Sequence, residues 1–296
     1  MEAWASTAVV ASTDADSVFE EFRYIGDFHF EELDTMKALL AMLLLWPTLL
    51  LAQSPFDGTW VAKPDTIQFP QRPESYLLQN GTYECSSCVP RIKVKADGKD
   101  YAVAGSPYFS TIAVRVINPN SIEITEKLAQ TTVYSEIDTV ASDGSTLVQE
   151  ITDAAAPKGE PVTATETYKR VSPGPAGSSP ISGSWQAQKI ESASENGMSV
   201  SYHSTGDGLE ASNPSGEGYS AKFDGKEYPI HGEPAHSTVY LQRIDANTIV
   251  ETDKQDGVIH YQVRMTVSPD GKSMQVTEID NERGTQMMYT MQKKAQ

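Results

Sequence analysis

Residues 97–111 read DGKDYAVAGSPYFST, and residues 224–238 read DGKEYPIHGEPAHST. The two stretches agree at Asp, Gly, Lys, Tyr, Gly, Pro, Ser and Thr. The 127-residue spacing holds beyond them: VINPNSIEITEK from Val116 falls on RIDANTIVETDK from Arg243, and VASDG from Val140 falls on VSPDG from Val267. Near the start of each half, FDGTW ends at Trp60 and ISGSW ends at Trp185. A fixed internal spacing of this length means that one fold unit is written twice, so any account of the fold must place two similar bodies in one chain. Between the halves, SPGPAGSSP at residues 172–180 has the composition of a linker.

Within each half the pattern is that of strands. Ile259, Tyr261, Val263, Met265 and Val267 alternate with polar residues, as do Ile112, Val114 and Val116, and Met287, Tyr289 and Met291. A period of two places one set on each face of a strand. Asp-Gly and Asn-Gly pairs at Asn80, Asp97, Asp143, Asn196, Asp207, Asp224, Asp256 and Asp270 punctuate these runs. Such pairs accept the positive φ angles of tight hairpin turns. No long amphipathic helix follows residue 52. The fold class is therefore all-β: roughly eight to ten short strands per half in an antiparallel meander. Closing each meander into a barrel removes its exposed edges; a β-sandwich is the alternative.

The apolar run MKALLAMLLLWPTLLLA at residues 36–52 is shorter than a membrane-spanning helix and is broken by Pro47. It has the length and polarity of a signal peptide cleaved after Ala52, although 35 residues precede it. Either Met36 is the true start and residues 1–35 are a spurious leader, or an acidic leader precedes an uncleaved anchor. Both readings export the remainder, and after cleavage no stable membrane span is expected. The expected organisation is a leader at 1–35, a signal peptide at 36–52, a first repeat at 53–171, the linker at 172–180 and a second repeat at 181–296.

Of the whole chain's 40 acidic and 23 basic side chains, nine and two lie in residues 1–52, so residues 53–296 keep a net charge of about −10. Binding nucleic acid requires Lys and Arg to neutralise phosphates, so this surface argues against it. The two cysteines, Cys85 and Cys88, form a Cys-x-x-Cys pair. Zinc would need two further ligands, and a redox pair of the thioredoxin kind would sit at a helix N-terminus, whereas here the surroundings are strand and turn. At the 127-residue spacing the pair falls on Ser212 and Ser215. A structural disulfide in an oxidising compartment is the expected role, with thiol redox chemistry as the alternative. His203, His231, His236 and His260 face Ala, Phe or Val in the other half where the alignment reaches them, and are expected to be scattered surface residues. Acidic pairs such as Glu123 and Glu126 read as solvated strand faces. No nucleophile elbow or phosphate loop is present, so no catalytic set, metal or cofactor is expected.

The Gly-x-Trp openings at Gly58–Trp60 and Gly183–Trp185, each followed by a hairpin meander, resemble the start of lipocalin-like barrels. Together with DGKDY, NSIEIT and SDG they are similar to a group of exported bacterial proteins carrying one or two such domains. The second half departs from the first in having Ser184 where Thr59 stands. The resemblance implies an exported, periplasmic or extracellular protein of lipocalin-like barrels and is nearly silent on activity; with no catalytic set in the sequence, a non-enzymatic protein that binds a small lipophilic or amphipathic ligand is expected. Trp60 and Trp185 would lie at the barrel floors as ligand-binding candidates. An envelope structural or interaction module with filled barrels is the alternative.

Overall fold

The structure, a computed structural model, describes residues 54–155 and 160–295. The expected leader, signal peptide and cleavage position lie outside the described residues. Twenty strands form two antiparallel sheets of ten, each curled into a nearly closed barrel. The first half supplies β1 (Gly58–Ala62), β2 (Glu74–Gln79), β3 (Thr82–Cys85), β4 (Ile92–Lys95), β5 (Tyr101–Ala102), β6 (Thr111–Asn118), β7 (Ser121–Leu128), β8 (Thr131–Val140), β9 (Thr146–Asp153) and β10 (Val162–Pro173). The second supplies β11 (Gly183–Ala193), β12 (Ser199–Ser204), β13 (Gly208–Ser212), β14 (Gly218–Lys222), β15 (Glu227–Pro229), β16 (Thr238–Arg243), β17 (Thr248–Gln255), β18 (Val258–Val267), β19 (Ser273–Asp280) and β20 (Thr285–Lys293).

The sheets do not divide at residues 172–180. One barrel has the order β4-β3-β2-β11-β10-β9-β8-β7-β6-β5, and the other β14-β13-β12-β1-β20-β19-β18-β17-β16-β15. Each half lends its first strand to the other half's barrel. Residues 172–180 accordingly connect β10 to β11, which pair with each other from Ala164↔Ala193 to Pro173↔Gly183. The crossover to the second barrel comes later, at the helical turn Glu195–Met198. Asn196-Gly197, expected as a hairpin turn, lies in that crossover because β11 and β12 belong to different sheets.

Short backbone contacts join the two ends of each sheet's strand order. In the second, Gly218 and His231 exchange backbone hydrogen bonds of 3.0 and 2.8 Å. In the first, the Gly98 N–H donates to the Val114 carbonyl at 2.8 Å. The repeated Asp-Gly-Lys-x-Tyr sequence makes the same pair of side-chain hydrogen bonds in each copy. Asp97 Oδ1 accepts from the Lys99 N–H and its Oδ2 from the Tyr101 hydroxyl, at 3.1 and 3.0 Å; Asp224, Lys226 and Tyr228 repeat both bonds at the same distances. Gly98 and Gly225 have φ of 76° and 80°, a backbone region that glycine enters without a Cβ penalty.

Inward-facing apolar residues form one core per barrel. Ile122, Val140, Leu147 and Trp185 belong to the first, and Ile249, Val267, Met274 and Trp60 to the second. Leu147 and Met274 occupy matching positions, as do Val140 and Val267. This preserves the expected period of two, which is what a half-wet, half-buried strand requires.

Candidate functional site

Trp60 and Trp185 are completely buried at one end of their barrels. The Trp60 indole N–H donates to the Phe56 carbonyl at 2.7 Å, and that of Trp185 to the Ile181 carbonyl at 2.9 Å. A cation covers each ring: Lys293 Nζ lies 4.8 Å from the Trp60 ring centre, and Arg170 Cζ lies 3.9 Å from that of Trp185. Both cations also donate to carbonyls beneath the ring, Lys293 to Pro55 and Arg170 to Pro180 and Ser182. A buried indole with its N–H bonded and its face under a cation is a satisfied end plug.

Above the Trp60 plug the second barrel opens into a cavity of about 580 Å³. Strand register fixes how its wall changes with depth. Nearest the plug, Val267, Met274, Met291 and Ala62 meet across β18, β19, β20 and β1. The next row is Ile249, Met265, Val276 and Tyr289, and the row above it Glu251, Val263, Glu278 and Met287. Asp253 begins the outermost row. Because Ile249, Glu251 and Asp253 alternate along β17, all three face inward, so the wall runs from hydrocarbon at the floor to carboxylate near the mouth. Ile67, Phe69, Val162 and Met198 border the mouth, and Gln68 holds this rim to β20 through a 2.8 Å bond from its N–H to the Met288 carbonyl.

A second cavity of about 370 Å³ adjoins the first, sharing Tyr202, Glu217 and Glu251, and reaches Asp253 and Tyr219. The Tyr219 hydroxyl donates to Glu251 Oε2 at 2.6 Å. Asp253 Oδ1 is shielded from solvent and has no hydrogen-bond partner among the described residues. Burial pushes the Glu251 carboxyl up to about 7, with the Glu278 charge adding to it and the Tyr219 bond opposing. Burial followed by the charge of Glu251 raises Asp253 to about 9. Burial also raises the Tyr202 and Tyr219 hydroxyls, and the nearby Glu251 charge pushes them further up.

The first barrel is occupied differently. At the places matching Met265 and Val276 it has Asp138 and Gln149, both buried. Tyr76 and Tyr83 stack with ring centres 6.1 Å apart. Glu136 accepts from Gln149 Nε2 at 3.1 Å and from the Tyr134 hydroxyl, whereas neither oxygen of the fully buried Asp138 is within hydrogen-bond geometry of a partner among the described residues, although Glu136 and Gln149 are its polar neighbours. Burial, then the Glu136 charge, holds the Asp138 carboxyl well above the ordinary carboxylate range. It therefore keeps its proton while Glu136, with donors around it, is the better site for the negative charge.

Cys85 and Cys88 are joined by a disulfide at the end of β3, and Cys85 is completely buried. The strand pairing corrects the repeat alignment here: Tyr76↔Cys85 matches Tyr202↔Ala211, so Cys85 corresponds to Ala211 rather than Ser212. The turn after Ala211 is one residue longer, since Ala211 pairs with Tyr219 whereas Cys85 pairs with Ile92. Glu123 pairs with Arg115 on the outside at 2.6 Å. Glu126, expected on a solvated face, instead shares the inward side with Ile122 and Ile124. Burial first, with the charges of Glu136 and Asp153 adding, raises its carboxyl to about 7.

A scan of protein-family models and a search of curated proteins each return no match. The cavity was not visible as a site in the sequence. Its carboxylates alternate with apolar residues as surface carboxylates do, and only barrel closure puts them inside.

Proposed function

We propose that this protein is an exported binding protein of the lipocalin-like kind, which holds a small amphipathic ligand inside its second barrel. The observation that carries this reading is the wall of the roughly 580 Å³ cavity, apolar beside Met265, Val276 and Met291 and polar at Glu251 and Glu278. Small-molecule sites are commonly concave, largely apolar and a few hundred Å³ in volume, with a few convergent polar groups. A ligand with a hydrocarbon end and a polar end suits that gradient. The tyrosine-rich interior of the first barrel suits a supporting role. The disulfide and the apolar run at residues 36–52 support export, and the Gly-x-Trp strands support lipocalin-like kinship. The reading is of binding rather than catalysis, with Trp60 closing the floor beneath the ligand and Trp185 closing that of the first barrel.

Native mass spectrometry of residues 53–296, purified from an exporting host and exposed to lipid extract, tests it. A bound passenger at one per chain is expected. A protein that stays empty would overturn the carrier reading in favour of a structural module.

A further inference from the structure

The two adjoining cavities of the second barrel are lined by carboxylates and by no Lys, Arg or His among the described residues. Asp153, Glu217, Glu233, Glu251, Asp253 and Glu278 all border this space, although the chain has 23 Lys and Arg side chains. Elsewhere carboxylates have found cations: Glu227 pairs with Lys254 at 2.6 Å, Asp207 with Lys222 at 2.8 Å and Asp100 with Lys127 at 2.8 Å. Inside the barrel their donors are neutral: the Tyr219 hydroxyl on Glu251, the Asn213 amide on Glu217, the Ser237 N–H and hydroxyl on Glu233 and the Ala155 N–H on Asp153, while Asp253 Oδ1 has no partner among the described residues. Buried charges in proteins are normally paired.

We infer that the second barrel takes a cationic amphiphile, a primary or secondary ammonium group carried on a hydrocarbon body. This rests on the carrier reading above. The ammonium would sit between Glu251 and Asp253 and donate to Asp253 Oδ1, while its apolar body lies against Met265, Val276 and Met291 toward the Trp60 plug. Tyr202, Tyr219 and Tyr289 line the same space and bring aromatic rings close to the head group, a residue type that also favours a cation. An anionic amphiphile would place its charge among carboxylates, with no cation among the described residues to meet it. A neutral one would leave Asp253 Oδ1 without the charge-assisted bond that an ammonium group offers. Burial pushes both carboxyls up, with the charge of Glu278 adding at Glu251 and those of Glu251, Glu233 and Glu278 adding at Asp253, and no Lys, Arg or His among the described residues lines the space opposite them.

Decylamine, decanol and decanoate share one apolar body and differ in head group, so titrating each into the full chain by calorimetry at neutral pH separates the questions. Decylamine is expected to bind about ten-fold or more tighter than decanol, with decanoate weakest, since charge-assisted hydrogen bonds are the stronger class. The double variant Glu251→Gln with Asp253→Asn should erase that preference while decanol binding persists, which also shows the barrel still folded. Equal affinity for amine and alcohol, tighter binding of decanoate, or a preference that survives the double variant would overturn the cationic reading while leaving the cavity reading intact. Failure of all three to bind would overturn the cavity reading itself.

Discussion

Trp60 lies in the barrel built by the second half of the chain, and Trp185 in the barrel built by the first. The two indoles occupy the same place in a repeated design and have changed sides. Trp60 pairs with Lys293 on β20, and Trp185 pairs with Arg170 on β10. Each barrel therefore contains one strand from the other half, and neither half contains all the strands of one barrel. A single backbone cut at Gly177, in the connection between β10 and β11, should leave two fragments that co-elute in size-exclusion chromatography and separate only in denaturant. Without the exchange, each fragment would hold a whole barrel and the fragments would part in buffer.

The twin corners predict matched energetics. Asp97→Ala and Asp224→Ala each remove an acceptor for a backbone N–H and for a tyrosine hydroxyl, and each should lower the urea midpoint by a similar small amount. Gly232→Ala should cost more than Asp224→Ala, since its φ is 86° and a Cβ there would lie 2.3 Å from the Gly216 carbonyl oxygen. Gly105→Ala shares the φ of 86° but meets nothing within 4 Å, so it should cost less than Gly232→Ala.

The strands, turns and doubling were legible because they depend on local rules: a period of two, glycine at positive φ, and recurrence at a fixed spacing. The exchange was not, because the swapped strands carry the same chemistry. The Thr59 hydroxyl meets that of Ser201 at 2.8 Å, and the Ser184 hydroxyl meets that of Ser75 at 3.0 Å. Either first strand offers a hydroxyl, a tryptophan and a glycine to either partner, so the pattern does not say which barrel receives it. The cavity was hidden for a different reason. Alternation assigns Glu251 and Ile249 to one face of β17, but apolar neighbours alone do not reveal that the carboxylate end of that face lies within a closed wall.

Asp138 is a place where the first barrel gives up stability. The second barrel has Met265 there, equally buried. Replacing an unpartnered buried carboxyl with an apolar group removes a desolvation cost. Asp138→Met should raise the unfolding free energy by about 1–3 kcal/mol at pH 8. Asp138→Asn should also stabilise at pH 8 and change less at pH 4, where the folded carboxyl is protonated and about half of the unfolded ones are as well. Thermal melts of both variants at the two pH values check this, and a loss of stability at pH 8 would mean that Asp138 has a partner that holds it charged.

The inward carboxyls also set the direction of the protein's pH dependence. Glu251 and Asp253 titrate in the folded chain near 7 and 9, above the ordinary carboxylate range that applies on unfolding. The groups around them are Tyr202, Tyr219, Glu217, Glu233, Glu278 and Tyr289, from β12, β14, the segments after β13 and β15, β19 and β20. Between the unfolded and folded values the native state binds more protons than the unfolded state, so stability falls as pH rises. The contribution is fully present below about pH 4 and is lost as pH rises through 7 and then 9. With one pH unit worth about 1.4 kcal/mol per group, roughly two units for Glu251 and four for Asp253 give a loss of up to about 8 kcal/mol between pH 5 and pH 9. Urea denaturation across that range should show it, and Glu251→Gln with Asp253→Asn should flatten the curve by stabilising the protein at pH 9 while changing little at pH 5. A parent protein whose stability rises over the same range would show that these carboxyls are paired with a cation in the folded state.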